Sequence, residues 1–289
     1  MNPLKMLIGL LIFSSIISCK SDDDVNCCDD DYKLIVKFKF DPNQERLNNF
    51  GLPSDIPIGN AAQSPDIGRM SANYIELAPS ALTPLGEGVI IFNGAETNAG
   101  GAKAIDFQSA SFAGNNEVFF EMPLNEIPEG EYNWVRISLA YQEGNVDVLT
   151  NGIEIEGTLA SFVGYNTYIT SFDLNNTTVD VNENKLQGFW AFEALGFLSQ
   201  GQAPEGAITV PNPLFDTSPI PQGSCVVTGQ FENSFNHTGI ISEDKELTLS
   251  FSINNSFEWT EVNSDGKFEP AIGEQVVDMG LRGLIPAIN

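Results

Sequence analysis

The sequence predicts an all-β fold: an antiparallel β-sandwich, either one large sandwich or two smaller ones, with no long helix after an N-terminal export signal. Three observations carry this. Residues 33–40, 132–142 and 246–253 alternate apolar and polar side chains, the period of a half-buried strand. Many such short runs follow one another with turn residues between them. No later stretch shows the i, i+3, i+4, i+7 spacing of a long amphipathic helix.

The chain starts with an export signal. Lys5 supplies a positive start, and residues 7–17 are apolar apart from Gly9, Ser14 and Ser15. That run is shorter than the ~20 residues needed to span a bilayer, so it reads as a signal peptide covering residues 1–18. Ile16-Ile17-Ser18-Cys19 resembles a bacterial lipobox, although Ile17 stands where a small residue is usual. The resemblance implies that the Cys19 thiol receives a diacylglyceryl group and becomes the new N-terminus. Lys20, Ser21, Asp22, Asp23 and Asp24 then resemble the lipoprotein export signal of the Bacteroidota, a short acidic run directly behind the acylated cysteine. It implies an outer-membrane lipoprotein displayed at the cell surface; the alternative is an acidic linker on a periplasm-facing lipoprotein. Residues 19–32 form the acidic tether, which like charges extend. Three acyl chains, at ~0.8 kcal/mol per buried CH₂, make a firm membrane anchor.

The β domain is expected over 33–289. Leu34, Val36, Phe38 and Phe40 form one face of a first strand. Residues 41–70, rich in Pro, Gly and Asn, read as a long loop. Residues 72–78, 89–92 and 117–123 are strand candidates, and 128–131 a turn. In 132–142, Val135, Ile137, Leu139 and Tyr141 face one way, and Trp134, Arg136 and Ser138 the other. Glu143-Gly144-Asn145 reads as a turn into 146–149. Asn151-Gly152 is a hairpin signal leading to 153–163. A strand over 165–174 ends at Asn175-Asn176, and 176–184 is a possible soft domain boundary. Residues 185–198 are too densely apolar to show a period; Phe189, Trp190 and Phe192 favour strand, while Gly188 and Gly196 weaken a helix. The proline-rich 201–224 reads as irregular, and 225–231, 246–253 and 257–262 as strands.

Composition excludes some functions. The chain has 39 acidic and 13 basic side chains, a formal charge of −26; without the signal peptide it is −27. Binding nucleic acid through phosphates requires Lys and Arg, so it is not expected. Of the four cysteines, Cys19 carries lipid, leaving Cys27, Cys28 and Cys225. Export permits one bridge from Cys27 or Cys28 to Cys225, and Cys28–Cys225 is the candidate pairing.

Few residues suggest chemistry. His237 is the only histidine, which excludes His₂ and His₃ metal sites, and no G-x-S-x-G elbow supplies a serine nucleophile. The Gly-rich 99–102 lacks the features of a phosphate-binding loop. Glu193 is the one acid in an apolar setting. Among the tryptophans, Trp190 reads as core, and Trp259, beside an acidic turn, as the candidate ligand platform. The most specific pattern is Glu261, Asn263, Asp265, Lys267 and Glu269 around Gly266, which resembles the first nine places of an EF-hand-type calcium loop. Ile272 stands where its twelfth-place Glu would be; Glu274 and Asp278 lie close by. The resemblance implies Ca²⁺ as the one candidate cofactor.

The expected function is a lipid-anchored, cell-surface, non-enzymatic β module binding an extracellular ligand, a glycan or a protein. The alternatives are a carboxylate-based hydrolase of extracellular polymers and a structural or adhesive envelope component.

Overall fold

The computed structural model describes residues 32–48, 51–203, 218, 220, 221, 223–279 and 281–289. The expectations for Cys19, Lys20, Ser21, Asp22, Asp23, Asp24 and Cys28 fall outside them. Among the described residues the strands are, in order, β1 (Lys33–Asp41), β2 (Asn60–Gln63), β3 (Asp66–Ala78), β4 (Val89–Asn93), β5 (Glu96–Thr97), β6 (Ala104–Asp106), β7 (Val118–Pro123), β8 (Gly130–Thr150), β9 (Ile153–Phe162), β10 (Asn166–Leu174), β11 (Thr177–Leu186), β12 (Phe189–Ala194), β13 (Phe197–Gln202), β14 (Cys225–His237), β15 (Lys245–Ser252), β16 (Phe257–Thr260), β17 (Val276–Asp278) and β18 (Leu284–Ile288). The only helical turns among these residues are short 3₁₀ segments. The chain is all-β, as its periodicity predicts.

The 21-residue β8 is the spine. Along one edge it pairs with β3; along the other it pairs first with β14, through residues 130–139, and then with β9, through 141–150. The resulting seven-stranded sheet runs β13-β12-β9-β8-β3-β4, with β14 also on β8. Val135, Ile137, Leu139 and Tyr141 point to one face, as the alternation predicts, and all four are buried. Glu143-Gly144-Asn145 does not turn. Gly144 is needed for close approach, since a Cβ there would lie 2.6 Å from the Asp66 carbonyl of β3.

Three layers cover this sheet. Under its first half lies the sheet β18-β15-β1-β7, with Leu34, Val36, Phe38, Leu247, Leu249 and Phe251 in the main core. Here β1 and β15 run parallel, one departure from a purely antiparallel sandwich. Past the β14/β9 switch, β10 and β11 bury Ile169, Phe172, Leu174 and Val179 against Tyr141, Phe162 and Phe189. On the opposite face, the small sheet β17-β16-β2 packs Phe257 and Trp259 against Val146 and Val148. Residues 176–184 lie in the β10–β11 hairpin, and Asp31–Asn289 form one compact unit.

Two turns explain the second half. Asn151 and Gly152 have φ of 51° and 74°, the left-handed pair a tight hairpin requires. The ambiguous 185–198 contains a second such turn at Leu195-Gly196, with φ of 53° and 84°, joining β12 to β13. Leu195 is 75% exposed, so its side chain gains little to offset a conformation that costs an L-residue roughly 1–2 kcal/mol. Replacing Leu195 with Asn should therefore stabilise the protein by about 1 kcal/mol in denaturant unfolding. An unchanged midpoint would mean the turn carries no such strain.

Candidate functional site

Beyond the small sheet, one face of β8, β9, β12 and β13 is only partly covered by the described residues. Cross-strand register puts Val146 and Val148, Gly157 and Leu159, Trp190 and Phe192, and Ser199 and Gly201 on that face. With Phe257, Phe268, Pro270, Val276 and Met279 opposite, the side chains of this face line a cleft of ≈ 430 Å³. Buried Val146, Val148, Phe257 and Phe268 form its base, and half-buried Trp190 and Phe192 its aromatic wall. Ser199, Gln202 and Gln275 add exposed polar groups.

Both rings rest on glycines. Trp190 stands opposite Gly201 across the β12–β13 pair, and a Cβ on Gly201 would lie 2.6 Å from the indole Cζ2. Phe192 covers Gly157 in the same way. Each glycine lets a large ring lie flat on a neighbouring strand instead of standing off it. The wall is thereby set by backbone geometry.

The cleft carries little charge. Of the described side chains lining it, only Glu274 ionises. It is 4% exposed, and its two oxygens accept the Val262 N–H at 3.0 Å and the Glu269 N–H at 2.6 Å. Glu274 thus ties loop 262–269 to the cleft.

The structure corrects the roles of two tryptophans. Trp259 is 0% exposed, packed between Phe257 and Phe268, so it cannot serve as an exposed ligand platform. Its indole N–H donates to Glu261 Oε2 at 3.2 Å. Trp190, expected in the core, is the tryptophan that reaches the cleft. The sequence signal was Trp190-x-Phe192 in strand alternation, hidden because the apolar residues around them are too dense to show a period.

In the loop read as a calcium site, side-chain oxygens accept N–H groups. Glu261 Oε1 accepts the N–H of Asp265 at 2.9 Å and of Gly266 at 3.2 Å. Asp265 Oδ1 accepts the Lys267 N–H at 2.9 Å, and Glu269 accepts from Asn263 Nδ2. The Lys267 ammonium lies 2.9 Å from Glu154. Among the described residues, no group of three or more His, Cys, Asp or Glu is placed to hold a metal.

The other candidates are structural. Glu193 is buried; it accepts the Gly196 N–H at 2.6 Å and a bond from Asn175 Nδ2, clamping the β12–β13 turn. His237 is buried beside the Phe235 ring. A second, open groove of ≈ 340 Å³ lies by β11, lined by Asp180, Glu183, Lys185 and Gln200 among others; Glu183 is ion-paired with Lys185 at 2.6 Å.

Cys225 is a free thiol among the described residues. Burial pushes its pKa up to about 12, with the negative Asp278 adding to the effect. Burial also raises Tyr74 and Tyr141, reinforced by the neighbouring carboxylates Glu76 and Glu143. Each group keeps its proton in the native state after the unfolded chain has lost it. Stability should therefore hold below the ordinary thiol pKa of 9.0 and fall as pH rises from there towards about 12. Denaturant midpoints from pH 7 to 11 test this, and a flat profile would contradict it.

No family model, curated protein or solved structure matches the chain.

Proposed function

We propose that this protein is a lipid-anchored, non-enzymatic binding module of the outer cell surface, and that the cleft beside Trp190 and Phe192 takes its ligand, a glycan. The anchor rests on the sequence around Cys19 and the aspartates behind it. Binding rests on one observation: two glycine-seated aromatic rings form the wall of a mainly apolar cleft with a few polar groups at hand, the usual composition of a small-molecule site. Its ≈ 430 Å³ falls within the typical range of about 300–1,000 Å³.

The same geometry weighs against a hydrolase at this site. Glycoside hydrolysis uses two carboxyl groups about 5–9 Å apart. Among the described residues the cleft offers Glu274 alone, and loop amides occupy both of its oxygens.

A glycan array probed with wild type and with Trp190→Ala tests the reading. Wild type should bind a subset of glycans, and Trp190→Ala should lose them by ~10-fold or more, the effect of removing a central aromatic anchor. Equal patterns for the two proteins, or no binding by wild type, would overturn it.

A further inference from the structure

Resting on that reading of the cleft, we infer that its ligand is an uncharged chain of several sugar rings, which leaves the cleft over Phe197. Two features of the molecule carry this.

The first is charge. Among the described residues no Lys, Arg or His lines the cleft, and the one carboxylate that does is spent on the fold. The whole chain carries a formal charge of −26. An anionic ligand would find no counter-charge and a repulsive field. A cationic ligand would have no free carboxylate to pair with inside the cleft. What remains attractive is apolar area from the aromatic wall, with hydrogen bonding from the exposed side chains of Ser199 and Gln275. A neutral sugar ring, apolar on its faces and polar at its rim, matches this.

The second is Phe197. It lies on the same face of β13 as Ser199 and Gly201, and it is 81% exposed. Gly201 sits under Trp190, four residues along the strand, which is about 13 Å at ~3.3 Å per residue. The turn that presents Phe197 is held in place: Glu193 accepts the Gly196 N–H at 2.6 Å and is itself held by Asn175. Phe192 and Trp190 on β12 and Phe197 on β13 thus form one aromatic strip running from the cleft to the hairpin tip. A single ring reaches only the inner part; a chain covers both.

Calorimetric titration of the full-length protein with neutral hexose oligomers of one, three and six rings, and with a six-ring uronate oligomer, tests the inference. Affinity should rise with length, the neutral six-ring oligomer should bind at least ~10-fold more tightly than the uronate, and Phe197→Ala should remove the gain of six rings over one without weakening the single ring. Equal binding of neutral and uronate oligomers, no effect of Phe197→Ala at any length, or no binding of any neutral oligomer would each overturn the inference. None of these by itself overturns the cleft reading, which falls if Trp190→Ala binds as wild type does.

Discussion

Replacing Glu258 with Ala should destabilise the protein by about 3–5 kcal/mol, the cost of stranding buried charge. The Glu258 side chain is 4% exposed, and its Oε2 receives Arg46 Nη2 at 3.0 Å and Arg282 Nη2 at 2.9 Å. Its Oε1 accepts from Asn60 Nδ2 at 2.6 Å. Arg282 also reaches Asp278 at 2.9 Å. One carboxylate therefore joins β2, β16, β17 and the segments on either side of them. Without it, the nearly buried Arg46 guanidinium loses its counter-ion and Arg282 keeps only Asp278, which costs more than the contacts removed. Denaturant unfolding of Glu258→Ala reads the effect, and a loss below ~1 kcal/mol would show that the pair contributes no more than a surface ion pair.

Trp259→Ala should cost a similar amount, about 3–5 kcal/mol, through the cavity left between Phe257, Phe268 and Val146. Trp190→Ala should be far milder for stability, because that ring is half-buried and lies against a strand surface. Binding should reverse the order at temperatures where both variants are folded: Trp190→Ala loses the ligand, and Trp259→Ala retains most of it. If both variants lose stability equally and Trp190→Ala still binds, the division of roles between the two tryptophans is wrong.

The exchange of those roles shows where sequence reasoning ends. Trp259 looked like a platform because an acidic turn follows it, yet its neighbour Glu258 is itself buried by two arginines that arrive from residues 46 and 282. Trp190 looked buried because its neighbours are apolar. In fact β12 meets the β10–β11 layer on one face and the cleft on the other, so both faces are apolar and no period of two survives. Strands whose residues alternate apolar and polar were legible: β1, β15 and the first half of β8 alternate as the sequence implies. The polar side of β8 still hid a feature, since Arg136 is buried with Glu76 at 3.7 Å while Tyr74 donates to Glu76 at 2.6 Å. The strands missed are those whose own residues prefer turns. Thr177–Leu186 is rich in Asn, Asp and Glu and becomes β11 only through pairing with β10. The first part of β3 lies in the Pro-, Gly- and Asn-rich 41–70 that reads as loop, and it becomes strand by pairing with 142–145 of β8.

The central claim is that ligand lies on the glycine-seated rings of the cleft. The most direct measurement is a crystal structure of the protein with the tightest neutral glycan from the array. The account predicts a sugar ring against Trp190 and Phe192, facing Pro270 and Met279, with the chain continuing towards Phe197. A glycan bound instead in the open groove by Asp180, Glu183 and Lys185, with the aromatic cleft empty, would contradict it.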